Sequence, residues 1–352
     1  MSSIKDLEPP EYTAEERKSL IDFLLALKTA QIREFLKLVE LPVSGTRIDL
    51  RERVQTALDD GEVTYEQVVG FLDSLAPWGK QHVFLYSGPR GDLAQWKDPD
   101  AVFQLLKDHR LGKLFNARLP LILPEKLTLS SITHLDGKLR ITVVRKRTYS
   151  ERAPEHDDEK QSVAGEPITL RAYVHHVSRM LVVFEWDLVS NDAILHITQL
   201  DRDTLYEQVA KEFFELVKAW LDIESMFGLV DIRGAIPKLH EFEGNGHPEA
   251  RSHGIHYRTL QGRRVSGHSP SHLDSVLGEK GIDRAMEIVR EESVGHLGNF
   301  YWLSNGSSGP VSNPLQGDVH VILVADKSRI NFPTPNTEDV LRYVLHRVRQ
   351  LS

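Results

Sequence analysis

The chain has 352 residues, of which 40% are hydrophobic and 27% charged, and its formal net charge is -8. That balance excludes wholesale disorder and a uniformly basic nucleic-acid coat, and the length points to roughly two or three domains. The absence of cysteine excludes disulfides, thiolate metal sites and cysteine nucleophiles.

Residues 1–12 read as a flexible polar arm with no apolar signal core. The densest apolar run, Met180 to Trp186, is far short of the roughly 20 residues that span a bilayer. The expectation is a soluble protein of the cytoplasm, nucleoid or nucleus, neither secreted nor membrane-bound. A helical domain over 13–80 follows. Thr13 with Glu16, Thr46 with Asp49 and Thr64 with Gln67 have capping-box spacing. The apolar sets Leu20, Phe23, Leu24, Leu27, then Leu50, Val54, Leu58, then Val68, Phe71, Leu72 sit on single helical faces.

The texture changes at His82–Tyr86, a predicted strand. A helix is predicted over 98–115, and strands over 127–135 and 139–149 flank the hairpin signal Asp136-Gly137. Residues 150–166 read as a charged loop. Strands over 168–176, 180–189 and 193–200 precede an amphipathic helix over about 203–226. Residues 241–272 read as a long loop or irregular hairpin. A helix over 283–291, strands over 299–303 and 319–325, and a terminal helix over 338–351 complete the chain. Hairpins dominate over βαβ alternation, so the fold class is α+β with a mainly antiparallel sheet. The domains are an all-helical unit over 13–80, a sheet domain over 81–228 and a C-terminal α+β region over 229–352.

Within the helical unit, Leu41-Pro42 ends one short helix, Gly45 permits a positive φ, and Thr46 caps the next helix. The cap is expected to leave N-terminal N–H groups to meet an anion. Arg47, Arg51 and Arg53 sit in or beside that first turn, and Lys37 approaches from the preceding helix. Leu36, Leu41, Pro42, Ser44, Gly45, Thr46, Leu50 and Arg53 resemble the core of a SAP motif, with Arg47 where lysine is usual. The chain departs from the pattern at Glu40, where the family often has glycine. The resemblance covers about a tenth of the chain. It implies contact with duplex DNA at low sequence specificity, with Lys37, Gly45, Thr46, Arg47, Arg51 and Arg53 at the interface. A structural or protein-docking use of the same module is the alternative. The layout of a helical unit leading into an α+β body is similar to the centromere protein N family, whose members bind DNA alongside protein partners; no residue is transferred from it.

Lys138, Arg140, Arg145 and Arg147 form a basic strand able to track phosphates if it twists or bulges after Val144. A solvated sheet edge is the plainer reading. His240, His247, His253, His256, His268 and His272 cluster with arginines. Their glycine-rich context reads as a polar loop rather than a tight metal site, and no cofactor is expected. Trp220 is a candidate contact at a helix margin or simply core. Arg342, His346, Arg347 and Arg349 on the terminal helix could face nucleic acid or an acidic partner. No nucleotide-binding glycine loop or nucleophile elbow is present. The leading expectation is therefore a non-catalytic DNA-binding adaptor whose α+β body docks a protein partner or a second copy. The alternative is a metal-dependent nuclease of a restriction or defence system, for which Glu185 and Asp187 would be candidate carboxylates.

Overall fold

The computed structural model describes residues 12–27, 29–75, 79–91, 93–161, 165, 167–200, 205–259, 261–291, 293–306 and 313–352. The predicted arm therefore lies outside the described residues, save for Tyr12. Chain contacts divide the protein into two compact units. The first comprises residues 1–76, 119–128 and 144–180; the second comprises 77–118, 129–143 and 181–352.

The first unit is built on four helices, α1 (Ala14–Ala26), α2 (Thr29–Leu38), α3 (Arg47–Asp59) and α4 (Tyr65–Leu75). Their starts follow the predicted caps. Thr13 and Glu16 form a reciprocal box, as do Thr46 and Asp49, and Thr64 exchanges bonds with Gln67. Leu20, Leu24, Ile32, Phe35, Leu36, Leu50, Val54, Val68 and Phe71 are buried together, and Leu121 joins them. Phe35 and Phe71 tilt against each other at 5.1 Å. Each such side chain contributes about 1.5–3 kcal/mol on burial, which fixes where the α2–α3 loop stands.

The strands are β1 (Gln81–Ser87), β2 (Thr128–Leu135), β3 (Lys138–Arg152), β4 (Asp158–Gln161), β5 (Pro167–Leu170), β6 (Tyr173–Asp187), β7 (Asp192–Thr198), β8 (Gly228–Leu229), β9 (Ala250–Thr259), β10 (Arg264–His268), β11 (Ser293–Trp302), β12 (Val319–Val324) and β13 (Arg329–Phe332). They run in the order β10-β9-β11-β12-β13-β1-β7-β6-β3-β2, with β8 on β1 and a separate β4-β5 ribbon. β1 is antiparallel both to β13 (Val83↔Ile330) and to β7 (Val83↔His196). Residues on both sides of position 228 thus share one sheet, and the fold is α+β. Asp136 and Gly137, at φ 51° and 71°, make the predicted hairpin turn between β2 and β3.

The remaining helices are α5 (Ala94–Lys97), α6 (Pro99–Asp108), α7 (Tyr206–Val217), α8 (Ile223–Met226), α9 (Ala235–Gly244), α10 (Lys280–Glu291) and α11 (Glu338–Leu351). In the second unit, Val83, Leu85, Phe300, Trp302, Val321, Leu323, Ile330 and Phe332 pack with α9 and α11 side chains such as Ile236, Leu239, Leu341, Val344 and Val348. On the other face of β1, His82 lies against Tyr206 of α7 at 3.7 Å, and Tyr86 meets Phe214 edge-on at 6.0 Å.

Several expectations are corrected. Residues 241–272 take the hairpin reading rather than the loop: β9 and β10 pair antiparallel, with Arg258 facing Arg264. The register of β9 against β11 shifts twice, leaving His253 and His296 as extra residues, and these bulges break the two-residue alternation that marks a strand. Much of the 150–166 loop is ordered: β3 runs to Arg152, a 3-10 turn spans Pro154–His156, and β4 follows. β4 carries no apolar residue, so nothing in its sequence announces it; residues 162–164 and 166 lie outside the described residues. The helix expected over 203–226 is interrupted after Val217, where Asp222 caps α8 by accepting from the Ser225 amide. Its first two positions, 203 and 204, are also outside the described residues.

Candidate nucleic-acid interface

The α2–α3 loop is shaped by backbone chemistry first. α2 ends with Glu40 in the left-handed region, at φ 58°. The Leu41 amide donates to the Leu36 carbonyl at 2.8 Å and the Glu40 amide to Lys37 at 3.2 Å, the bonding of a Schellman cap. Glycine suits that position best, so Glu40 holds its left-handed conformation at a cost. Gly45 has φ +118°, and a Cβ there would stand 2.9 Å from Asp49 Oδ2.

Arginines then grip the loop from both sides. Arg33 Nη2 donates to the Gly45 carbonyl at 3.1 Å. Arg53 Nη1 donates to the carbonyls of Pro42 (2.6 Å) and Ser44 (2.9 Å). Arg47 and Arg51 both donate to the Leu25 carbonyl, at 3.2 and 2.6 Å, capping the end of α1. A guanidinium carries five donors, so each retains capacity beyond these bonds. Arg33 and Arg51 are exposed, Arg47 and Arg53 partly so, and Lys37 is exposed in the last turn of α2. Arg33 was not singled out from the sequence; its role depends on the loop folding back to it.

The α3 N-terminus differs from the expectation. Asp49 Oδ2 accepts from the Thr46 amide at 2.7 Å and from the Thr46 hydroxyl at 2.9 Å, and the Asp49 amide donates to Thr46 Oγ1. The Thr46 backbone and side-chain bonds hold the Asp49 carboxyl below its usual range, with Arg53 adding to them. A carboxylate thus stands at this helix end, and the positive character comes from the surrounding arginines rather than from bare amides.

The basic strand is not one phosphate track. Lys138 and Arg140 turn to Glu185, a buried carboxylate on β6. Arg140 Nη2 stands 2.7 Å away, Lys138 Nζ 3.8 Å and Arg342 Nη2 2.8 Å. Burial pushes the Glu185 carboxyl up, but the Arg342 and Arg140 guanidiniums outweigh it and hold it at about 2. Behind it, His196 Nδ1 donates to Gln81 Oε1 at 2.7 Å; burial pushes this imidazole down to about 4. Arg145 and Arg147 belong to the first unit, where Arg147 lies over the Tyr149 ring at 5.0 Å. Asp187, the other carboxylate singled out on β6, accepts from the Val189 and Ser190 amides and closes a turn.

The terminal-helix cations are likewise committed to the body. Arg342 pairs with Glu185 and Glu338, Arg347 with the buried Glu249, and Arg349 with Asp192 and the carbonyls of Tyr86 and Ala193. His346 contacts Gln350. Trp220 is core, at 7% exposure.

The histidines divide. His240 is buried against Tyr257 Oη at 2.7 Å, and His247 is exposed. His256 and His268 approach at 4.9 Å between centroids, while His253 and His272 flank Tyr301. His296 and His320, outside the sequence cluster, join this region from β11 and β12. Among the described residues, no group of three or more His, Asp or Glu side chains is disposed to hold a metal ion, and no helix is long and apolar enough to cross a membrane.

No protein-family model matches the chain, and no curated protein does. The site is thus read from its own chemistry. A loop braced by arginines can present guanidiniums to successive phosphates without reorganising, and salt limits such exposed contacts to about 10 Å or less.

Proposed function

We propose that the protein is a non-catalytic adaptor that contacts duplex DNA through the α2–α3 loop and holds a protein partner or a second copy through its α+β body. The observation that carries the DNA contact is the pinning of the Pro42, Ser44 and Gly45 carbonyls by Arg33 and Arg53, with Arg47, Arg51 and Lys37 alongside. Such an array reads phosphates rather than base edges, so low sequence specificity follows. The body's part is supported by exposed apolar side chains, among them Ile282 and Ile288 on α10 and Leu216 on α7. A DNA-associated intracellular location follows from the same reading.

A salt titration of duplex binding tests it. Arg47→Glu with Arg51→Glu, and separately Lys37→Glu, should weaken binding on every sequence and flatten the dependence on salt. Unchanged affinity and slope in folded variants would remove the module from the interface. Metal-dependent cleavage of plasmid DNA by the wild type would replace the adaptor reading with the nuclease one.

A further inference from the structure

Strands β9 to β12 carry helices α9, α10 and α11 on the face where Tyr257, Phe300 and Trp302 are buried. The opposite face is lined by rings that keep partial exposure. Tyr301 and His320 are stacked, with centroids 4.8 Å apart and planes at 10°. Arg251 holds its guanidinium 5.7 Å from the Tyr301 centroid. At the β9 bulge, His253 keeps Nδ1 buried with no hydrogen-bond partner among the described residues. Next to it the His268 ring lies close over Gly254: a Cβ there would fall 2.8 Å from its Nδ1.

Charge on this face is arranged for an anion. Arg258 and Arg264 are direct cross-strand partners, and both are exposed. Like charges in that relationship destabilise a hairpin, and a bound phosphate would relieve the repulsion. The nearby carboxylates of Asp318 and Asp326 are already paired, with Arg251 and His296.

We infer that this face of the β9–β12 sheet binds single-stranded nucleic acid, with a base stacking on the Tyr301–His320 pair and phosphates meeting Arg258 and Arg264. An antiparallel sheet face with accessible rings reaches a base only when that base is unstacked, which excludes an intact duplex here. A protein partner is the poorer fit, because the facing, exposed Arg258 and Arg264 call for an anion beside the stacked rings. This inference is independent of the duplex contact proposed for the α2–α3 loop.

Fluorescence anisotropy on the full chain tests it, with labelled oligothymidine and oligouridine of about 12 nucleotides, within the site sizes of such surfaces, and a duplex as a third probe. Tyr301→Ala with His320→Ala should weaken single-strand binding about tenfold, the size of one lost stack, while Tyr301→Phe retains it. Arg258→Glu with Arg264→Glu should weaken it and flatten its salt dependence. Duplex affinity should not change in any of these variants. A preference for one oligonucleotide identifies DNA or RNA as the ligand. Wild-type protein that binds neither strand overturns the inference, as does undiminished affinity in the alanine pair with a native circular dichroism spectrum. Should the alanine pair misfold, the exposed Arg258/Arg264 pair decides: unchanged affinity there overturns it. Loss of duplex binding alone in α2–α3 variants would leave this inference standing.

Discussion

Arg53 and Pro42 are eleven positions apart, and the guanidinium of one donates to the carbonyl of the other at 2.6 Å. The same nitrogen donates to Ser44 at 2.9 Å, so one side chain of α3 holds the extended loop that precedes its own helix. The loop conformation and the third helix are therefore a single folding unit.

Replacing Arg53 should separate loop order from helix order. Arg53→Ala removes two charge-assisted bonds at a partly exposed site, so a loss of about 1 kcal/mol is expected after allowance for solvent. Hydrogen exchange should show faster exchange of amides in residues 41–47, with the core of α3 retaining protection.

Glu40→Gly should stabilise the first unit. A non-glycine residue in the left-handed region costs about 1–2 kcal/mol, and glycine at this cap position removes most of that. Urea unfolding followed by exchange protection in α2 should show a gain of about 1 kcal/mol. A loss would mean that the Glu40 side chain makes a compensating contact.

Glu185→Gln should cost about 3–5 kcal/mol, because three cations lose their counter-charge. The pH dependence has a definite sign. The folded carboxyl is depressed from 4.5 to about 2, so the unfolded chain binds the proton first. The stabilisation is complete above about 4.5 and disappears as pH falls through about 2. The gap between wild type and variant in denaturant midpoint should narrow over that window and stay constant above it.

His82 and His196 predict acid sensitivity at milder pH. Burial lowers His82 to about 3 and His196 to about 4, from 6.5. Both stay neutral in the folded state while the unfolded chain takes up protons from about 6.5 downward. Stability should fall as pH drops below that value, by up to about 1.4 kcal/mol per pH unit for each histidine. His82→Phe, which keeps a ring against Tyr206, should reduce the slope by up to about 1.4 kcal/mol per pH unit in calorimetry between pH 6 and about 4.

What was legible in the sequence was local. The Thr13–Glu16, Thr46–Asp49 and Thr64–Gln67 boxes announce three helix starts because a cap is complete within four residues, and Asp136-Gly137 announces its hairpin for the same reason. The SAP-like spacing pointed to the α2–α3 loop but not to Arg33, whose acceptor lies across the fold. Lys138 and Arg140 looked like free cations because their acceptor, Glu185, and its third partner, Arg342, are far along the chain. His320 could not be joined to the His253–His272 group before β12 was seen to lie beside β11. The bulge at His253 concealed β9 by breaking its period, and the one at His296 concealed the start of β11.

The position of β1 in the sheet has a consequence for synthesis. Gln81 to Tyr86 are buried, and the strand's neighbours along the sheet are β7 and β13, whose residues leave the ribosome later, β13 long after β7. At translation speeds of about 5–20 residues per second, β1 waits roughly 10–50 s for its second neighbour. Throughout that interval an apolar strand has an unmet backbone edge, inviting off-pathway pairing between nascent chains. Chains released before residue 332 would never close it, so termination ahead of β13 should yield insoluble products that depend on holdase chaperones.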